Sequence, residues 1–216
     1  MKKFFVLILT IFAIFALTGC GGEKSAPEKT SPQTENAAGT EKTKSKILVA
    51  YFSRTGDNYE VGKIAKGNTH IVAEMIAEKT GADMFEIKTV KKYPEDYRAC
   101  TEEAKTEAET NARPEMSEKV RGIENYDTIF LGYPIWWSDF PMVVYTFMES
   151  YDFKGKTIIP FCTAGNDYMT GKESHIPEIA KGSKTLEGIG IRGKRVQDNP
   201  EDVKKEVYAW LEKIGF

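Results

Sequence analysis

From residue 47 onward, short apolar runs alternate with longer segments whose apolar residues recur at helical spacing. Five of these runs have the length and composition of buried strands: Ile47–Phe52, Met84–Ile87, Thr128–Tyr133, Thr157–Cys162 and Leu186–Ile191. Strands that alternate with helices favour parallel pairing through right-handed crossovers. The sequence therefore predicts an α/β fold, a three-layer sandwich around a five-stranded parallel sheet.

The segments between the strands carry helix signals. Asn68 is a plausible N-cap and Gly81 a plausible stop for an amphipathic helix over Thr69–Thr80. Further helices are predicted over Glu95–Glu109, from Pro141 onward, and over Pro200–Ile214. Pro160 lies inside the fourth predicted strand and has no backbone N–H, so we expect a bulge or an unpaired position there.

The first 45 residues do not have the composition of a globular domain. Lys2 and Lys3 precede an apolar stretch that is too short for a comfortable membrane span and is typical of a secretory signal, residues 1–19. Its end, Leu17-Thr18-Gly19-Cys20, resembles a bacterial lipoprotein signal, which implies cleavage before Cys20 and lipidation of its sulfur. Residues 20–45 then form a disordered tether to a bacterial membrane, and the domain over 46–216 is extracytoplasmic.

Charge and cysteine content exclude several classes of function. The formal net charge of -2 lacks the basic character of a nucleic-acid-binding protein. Cys100 and Cys162 lie on separate predicted elements without a neighbouring histidine, so we expect two free thiols and no thiol catalysis. His70 and His175 have no ligand spacing that predicts a metal site.

The turn after the first strand offers groups that bind phosphate. Ser53, Arg54 and Thr55 follow the strand directly, but the helix begins only near residue 68, so residues 57–66 form an insertion. We therefore expect a split anion pocket, with Asn68 and Thr69 at the helix N-terminus as its second half.

Two other phosphate-handling classes share features of this region. A nucleotide P-loop requires Ser or Thr after its lysine and one residue fewer between its glycines, whereas Gly62-Lys63 is followed by Ile64. A phospho-receiver domain requires clustered acids after the first strand, where this chain has Ser53 and Arg54. Neither class matches.

Two further loops should meet the phosphate turn, because parallel strands end at one edge of their sheet. The loop after the third strand, Gly132–Pro141, contains Trp136 and Trp137, which are suited to stacking on a planar ring or to covering the core. The loop after the fourth strand, Thr163–Tyr168, offers small side chains and backbone N–H groups, and an ordinary turn is the alternative.

Together these segments resemble the flavodoxin family. The resemblance rests on four motifs: Tyr51-Phe52-Ser53-Arg54, Tyr93-Pro94 with Tyr97, Gly132–Trp137, and Phe161-Cys162-Thr163 with Gly165. It implies strand order 2-1-3-4-5 and an FMN cofactor, with Tyr93 and Tyr97 as further residues of the rim. The implied FMN-binding residues are Ser53, Arg54, Thr55, Asn68, Thr69, Pro134, Ile135, Trp136, Trp137, Thr163, Ala164, Gly165 and Asp167.

The resemblance leaves three functions open. A one-electron flavodoxin shuttle typically has a small, flexible residue where Pro134–Trp137 stand here, and strong acidity that this chain lacks. These differences favour paired-electron NAD(P)H or quinone chemistry, with the physiological donor and acceptor unspecified. The third possibility is a lipoprotein of the same fold that binds no flavin. No residue is predicted as a catalytic acid or base.

Overall fold

The computed structural model describes residues 46–216. The predicted signal peptide, the lipidated Cys20 and the tether lie outside the described residues. In the part that is described, no helix combines the length and the apolar character needed to cross a membrane.

The described chain contains strands of very different length. In chain order they are β1 Ile47–Tyr51, β2 Gly56–Asn58, β3 Gly62–Ile64, β4 Asp83–Glu86, β5 Thr128–Pro134, β6 Thr157–Ala164, β7 Lys184–Thr185 and β8 Ile189–Arg192. The main sheet is parallel and runs β4-β1-β5-β6, and both β7 and β8 pair with the outer side of β6. The predicted order 2-1-3-4-5 is confirmed, with β7 and β8 as two pieces of the fifth strand.

Helices cover both faces of this sheet. They are α1 Asn68–Thr80, α2 Tyr97–Glu109, α3 Met142–Glu149, α4 Ile176–Ile179, α5 Gly193–Asp198 and α6 Pro200–Lys213. Strand side chains alternate between two cores: Leu48 packs with α3 and α4, whereas Val49 packs with α1 and α6. The three-layer architecture is confirmed, and α4 and α5 are short helices that the sequence pattern did not predict.

The interruption expected at Pro160 lies in the neighbouring strand. β6 is continuous, and Pro160 pairs in register with Leu131 of β5. On the other side of β6, pairing with β7 ends at Ile158 and pairing with β8 begins at Phe161. Gly188 crosses this gap so closely that a Cβ there would lie 2.4 Å from the Pro160 carbonyl oxygen. The missing N–H of Pro160 therefore divides the edge strand instead of distorting β6.

The insertion over residues 57–66 forms a small antiparallel hairpin. β2 pairs with β3 from Gly56 opposite Ile64 to Asn58 opposite Gly62. Its base is held by the loop before α2, because the Asp57 N–H donates to the Glu95 carbonyl oxygen over 2.9 Å. The hairpin is a two-stranded sheet separate from the main one.

Candidate functional site

A cleft of about 390 Å³ opens at the carboxyl ends of β1, β5 and β6. Its volume lies within the roughly 300–1,000 Å³ of ligand pockets, and its position at the strand ends is the usual one for α/β sheets. The residues that line it are Ser53, Arg54, Asn58, Tyr59, Asn68, Thr69, Tyr97, Cys100, Thr101, Glu102, Ala104, Pro134, Ile135, Trp136, Trp137, Thr163, Ala164 and Gly165.

Most of the residues predicted for the site meet in this cleft. Thr55 and Asp167 do not line it. Thr55 is exposed at the base of the hairpin. The Asp167 carboxylate instead accepts hydrogen bonds from the Arg192 backbone N–H and the Arg195 guanidinium, at 2.8 and 2.6 Å. The insertion explains why Thr55 does not line the cleft, since the chain turns away from the helix immediately after Arg54.

One end of the cleft is the N-terminus of α1, where backbone N–H groups lack carbonyl partners within the helix. The Ser53 hydroxyl oxygen accepts a hydrogen bond from the His70 N–H over 3.1 Å. The hydrogen of that hydroxyl is left free to donate to a ligand. Free first-turn N–H groups, a hydroxyl donor and the helix dipole together favour an anion at this end.

The residue that caps α1 differs from the prediction. Gly67, not Asn68, occupies the N-cap, and its own lack of a side chain leaves room for Ser53. A Cβ on Gly67 would lie 2.2 Å from Ser53 Oγ and 2.5 Å from the Arg54 carbonyl oxygen. Asn68 is the first helical residue, and its side-chain oxygen accepts a hydrogen bond from Gln197 over 2.7 Å. Expecting Asn68 as the cap was therefore wrong, because the Ser53 hydroxyl from the loop after β1 accepts the hydrogen bond of a first-turn N–H.

Two buried hydroxyls join α1 to the end of β6. Thr69 Oγ1 and Thr163 Oγ1 are 2.8 Å apart, and the residues are only 1% and 3% exposed. One hydroxyl donates to the other, so the accepting hydroxyl keeps its own hydrogen as a donor. This contact fixes the distance between the anion end and the loop that follows β6.

Arg54 connects the anion end to the hairpin and to the loop before α2. Its guanidinium donates to the carbonyl oxygens of Asp57, Pro94 and Glu95. The Nε atom is buried and has no hydrogen-bond partner among the described residues. Arg54 lines the cleft, so its positive charge favours an anion there. Its hydrogen-bond donors are directed to the hairpin and to the loop before α2, and the Nε atom is enclosed by protein.

The aromatic side of the cleft is held by edge-to-face contacts. The Trp136 ring meets Phe52 at 90° and Tyr93 at 89°, with centroids 5.3 and 5.0 Å apart. The Tyr93 hydroxyl donates to Glu107 over 2.7 Å. Burial raises the pKa of Glu107 above its usual range, although the hydrogen bond from Tyr93 acts in the opposite direction. Trp136 is therefore oriented by a packed cluster and not by the turn alone.

Trp137 lies at the exposed edge of the same turn. It is 56% exposed, and its indole Nε1 donates to the Thr101 carbonyl oxygen over 3.0 Å. Trp137 and Ser138 both have left-handed backbones, with φ of 51° and 62°, and Trp136 and Asp139 exchange two backbone hydrogen bonds of 3.0 Å. Two central residues with positive φ are typical of a type I′ turn, which usually contains Gly or Asn. The turn is thus tight, strained and fixed at both ends.

Part of the lining was not predicted from the sequence. Asn58 and Tyr59 come from the hairpin, and Cys100, Thr101, Glu102 and Ala104 come from one face of α2. Of the two tyrosines expected at the rim, Tyr97 lines the cleft, whereas Tyr93 packs against Trp136 and does not line it. Burial raises the pKa of the Cys100 thiol, which does not favour a reactive thiolate. A helix face that lines a cleft has the same sequence pattern as one that packs on a core, so no local signal separates the two.

Comparisons with known proteins agree with this architecture. A flavodoxin family model matches residues 46–214. A candidate flavoprotein from Bacteroides eggerthii is 30% identical with a TM-score of 0.63, over 80% of this chain and 99% of its own. One from Bacteroides uniformis is also 30% identical, with a TM-score of 0.62, over 78% and 98%.

A third structure is that of a flavoprotein from Lactobacillus acidophilus in complex with FMN. It is 21% identical with a TM-score of 0.53, over 71% of this chain and 97% of its own, and at this identity it shows the fold alone. No curated protein matches the chain. The match to the family model covers most of the chain and nearly all of its described residues, and the chain therefore belongs to the flavodoxin family.

Proposed function

We propose that this protein binds FMN in the cleft and acts as an oxidoreductase that moves electrons in pairs. The observation that carries the proposal is the convergence of an anion-binding helix end and two tryptophans on one cleft. FMN has a phosphate at one end and a planar ring at the other, and it supplies the redox chemistry when bound. The structure of the Lactobacillus acidophilus relative in complex with FMN supports this choice of ligand.

The residues at the anion end suit a phosphate dianion. Ser53 has a free hydroxyl hydrogen, the first turn of α1 presents N–H groups, and Arg54 brings a positive charge to the lining of the cleft. Hydrogen bonds from charged or preorganised donors to a phosphate are the strong ones in proteins. These groups would hold the phosphate, and the Thr69–Thr163 contact would set its distance from the ring.

The ring would lie against the turn that contains Trp136 and Trp137 and beside the loop that begins at Thr163. Ile135 in the first loop is tied to the second, because its N–H donates to the Thr163 carbonyl oxygen over 3.0 Å. Both walls of this part of the cleft are thus fixed relative to each other. A preformed slot with aromatic walls orients a planar ring at low entropic cost.

The rigidity of the Trp136–Asp139 turn supports the paired-electron assignment. Two backbone hydrogen bonds close the turn, and the indole of Trp137 is anchored on α2. Turning over the peptide between Trp136 and Trp137, or the one between Ser138 and Asp139, would break one of these backbone hydrogen bonds. A one-electron shuttle of the flavodoxin kind relies on such a peptide rearrangement, which this turn resists. Paired-electron transfer fits NADH or NADPH as the donor and a quinone or similar small molecule as the acceptor.

Two measurements on the full chain, purified in mild detergent, test the proposal. The first is the visible spectrum, with the released chromophore identified after heating, since a protein that stays colourless in excess FMN would contradict the cofactor assignment. The second is anaerobic rapid mixing with NADH and with NADPH. We expect one of them to bleach the flavin absorbance in a single phase. Failure of both, together with accumulation of a stable one-electron-reduced state, would identify a shuttle instead.

We also propose that a lipid on Cys20 holds the domain outside the cytoplasm. The support is the sequence alone: the apolar stretch before Leu17-Thr18-Gly19-Cys20 and the polar segment after it. Metabolic labelling with a radioactive fatty acid should mark the wild-type chain and leave Cys20→Ser unlabelled. Equal labelling of both would contradict the anchor.

A further inference from the structure

The hairpin β2–β3 extends over the mouth of the cleft. Asn58 and Tyr59 at its tip line the cleft, and Tyr59 is 57% exposed. The Tyr59 ring faces Tyr97 with centroids 6.1 Å apart, and it lies so close to Gly165 that a Cβ there would be 2.9 Å from the ring. Tyr59 therefore spans the opening from the start of α2 to the loop after β6.

The two ends of the hairpin are held differently. At the base, the Asp57 N–H donates to the Glu95 carbonyl oxygen, and the Asp57 carbonyl oxygen accepts a hydrogen bond from the Arg54 guanidinium. At the tip, the turn over residues 59–61 is held by the ring contacts of Tyr59 and by one ion pair. Arg192 at the end of β8 donates from Nε and Nη2 to both oxygens of Glu60, at 2.8 to 2.9 Å. The base is fixed through its backbone N–H and carbonyl groups, whereas the tip depends on contacts between side chains, which can open.

We propose that the hairpin is a clamp over the cofactor and that the Glu60–Arg192 ion pair is its latch. The inference rests on the proposed binding of FMN in the cleft. With the latch closed, Tyr59 covers the opening through which the ligand must leave. With the latch open, the tip swings away on its fixed base and the ligand dissociates. The latch thus determines how long the cofactor stays bound.

The surroundings of the latch agree with this role. Both side chains are partly exposed, at 40% for Arg192 and 28% for Glu60, so salt can screen their attraction. Asp167, the acid beside Arg192, is engaged by the Arg192 backbone N–H and by Arg195. It therefore leaves the Arg192 guanidinium to Glu60. Partly exposed ion pairs contribute little to global stability, so the latch can open without unfolding the protein.

The rate of FMN release from the full chain tests the latch. The loaded protein is diluted and the recovery of flavin fluorescence is followed over time. We expect Glu60→Gln to speed release about fivefold, which corresponds to the ~1 kcal/mol of a well-formed exposed pair. High salt should speed release from the wild type more than from the variant, since only the wild type has the ion pair to lose. The exchanged pair Glu60→Arg with Arg192→Glu should restore slow release.

Glu78→Gln is the matched control. Glu78 of α1 pairs with Lys204 of α6 at 2.7 Å, on the face of the molecule that the cleft does not use. The substitution Glu78→Gln makes the same chemical change to another partly exposed ion pair, and FMN release should keep the wild-type rate. Equal release rates for wild type and Glu60→Gln at every salt concentration would overturn the clamp and leave FMN binding intact. A chain that takes up no FMN would instead overturn the proposed function.

Discussion

The Oγ1 atoms of Thr69 and Thr163 lie 2.8 Å apart in the protein interior, although 94 positions separate the two residues along the chain. Thr69 belongs to the first turn of α1 and Thr163 to the end of β6. A buried hydroxyl is costly without a partner, so each residue satisfies the other. The pair joins the anion end of the cleft to the loop beside the proposed ring site.

Replacing Thr69 by valine should leave the Thr163 hydroxyl buried without its partner. We expect a loss of about 1–3 kcal/mol in the free energy of unfolding, measured by urea denaturation without FMN. The double variant Thr69→Val/Thr163→Val should cost less than the sum of the single changes. Thr106→Val, at an exposed hydroxyl on α2, should change stability by less than about 0.5 kcal/mol. Strictly additive losses would show that the two hydroxyls do not interact.

Ser53→Ala should separate phosphate binding from ring binding. The change removes the free hydroxyl donor and the acceptor for the His70 N–H. Because hydrogen bonds to charged groups contribute about 1.5–3 kcal/mol, we expect FMN affinity to fall at least tenfold. Riboflavin has the same ring and no phosphate, so Ser53→Ala should change its affinity by less than about twofold. Titrations of flavin fluorescence measure both, and equal losses for the two flavins would place the phosphate elsewhere.

Gly67→Ala tests the close contact between the helix cap and the Ser53 loop. Gly67 has φ of -69°, which alanine adopts readily, so the cost is steric. The new methyl group would meet Ser53 Oγ and the Arg54 carbonyl oxygen. We expect a loss of about 1–3 kcal/mol in stability together with weakened FMN binding.

Gly155→Ala is the control for this substitution. A Cβ there would have no atom within 4 Å, but φ is 78°. The left-handed backbone should cost about 1 kcal/mol in stability and leave FMN affinity unchanged. If Gly155→Ala weakened FMN binding as much as Gly67→Ala, general destabilisation and not the contact with Ser53 would explain the loss.

Glu107→Gln should remove a pH dependence of stability. Burial raises the pKa of Glu107 in the folded protein, so the folded state holds its proton more tightly than the unfolded state does. Stability therefore falls as pH rises from the unfolded pKa of about 4.3 through the raised value. The variant lacks this decline, and its stability relative to wild type should increase between pH 4 and pH 7. A difference that is constant across this range would contradict the assignment.

The strands and most helix ends could be predicted from the sequence because their signals are local, whereas the strand order followed from the resemblance to the flavodoxin family. An apolar run marks β1, and Gly81 ends α1 in the left-handed conformation with its N–H bonded to Ala77. The hairpin gave no such signal, since its strands Gly56–Asn58 and Gly62–Ile64 show no apolar alternation. Its position depends on Arg54 and on carbonyl groups about 40 residues away.

The lack of a local signal also explains why some site residues were assigned a wrong role or were not predicted. Asn68 is a good N-cap by local rules, but a hydroxyl from another segment takes that role. Asp167 follows β6 as expected, yet arginines of the β8–α5 segment engage its carboxylate. Tyr59 enters the cleft only because the hairpin folds over it. Each difference is a tertiary contact between distant segments, which local sequence patterns do not encode.

The decisive measurement for FMN binding in the cleft is the position of the phosphorus atom relative to α1 in a crystal structure of the full chain loaded with FMN. We expect phosphate oxygens within about 3 Å of Ser53 Oγ and of first-turn N–H groups of α1, with the ring against Trp136. A phosphate bound beyond hydrogen-bond reach of Ser53, or a ring away from the tryptophans, would contradict this mode of binding.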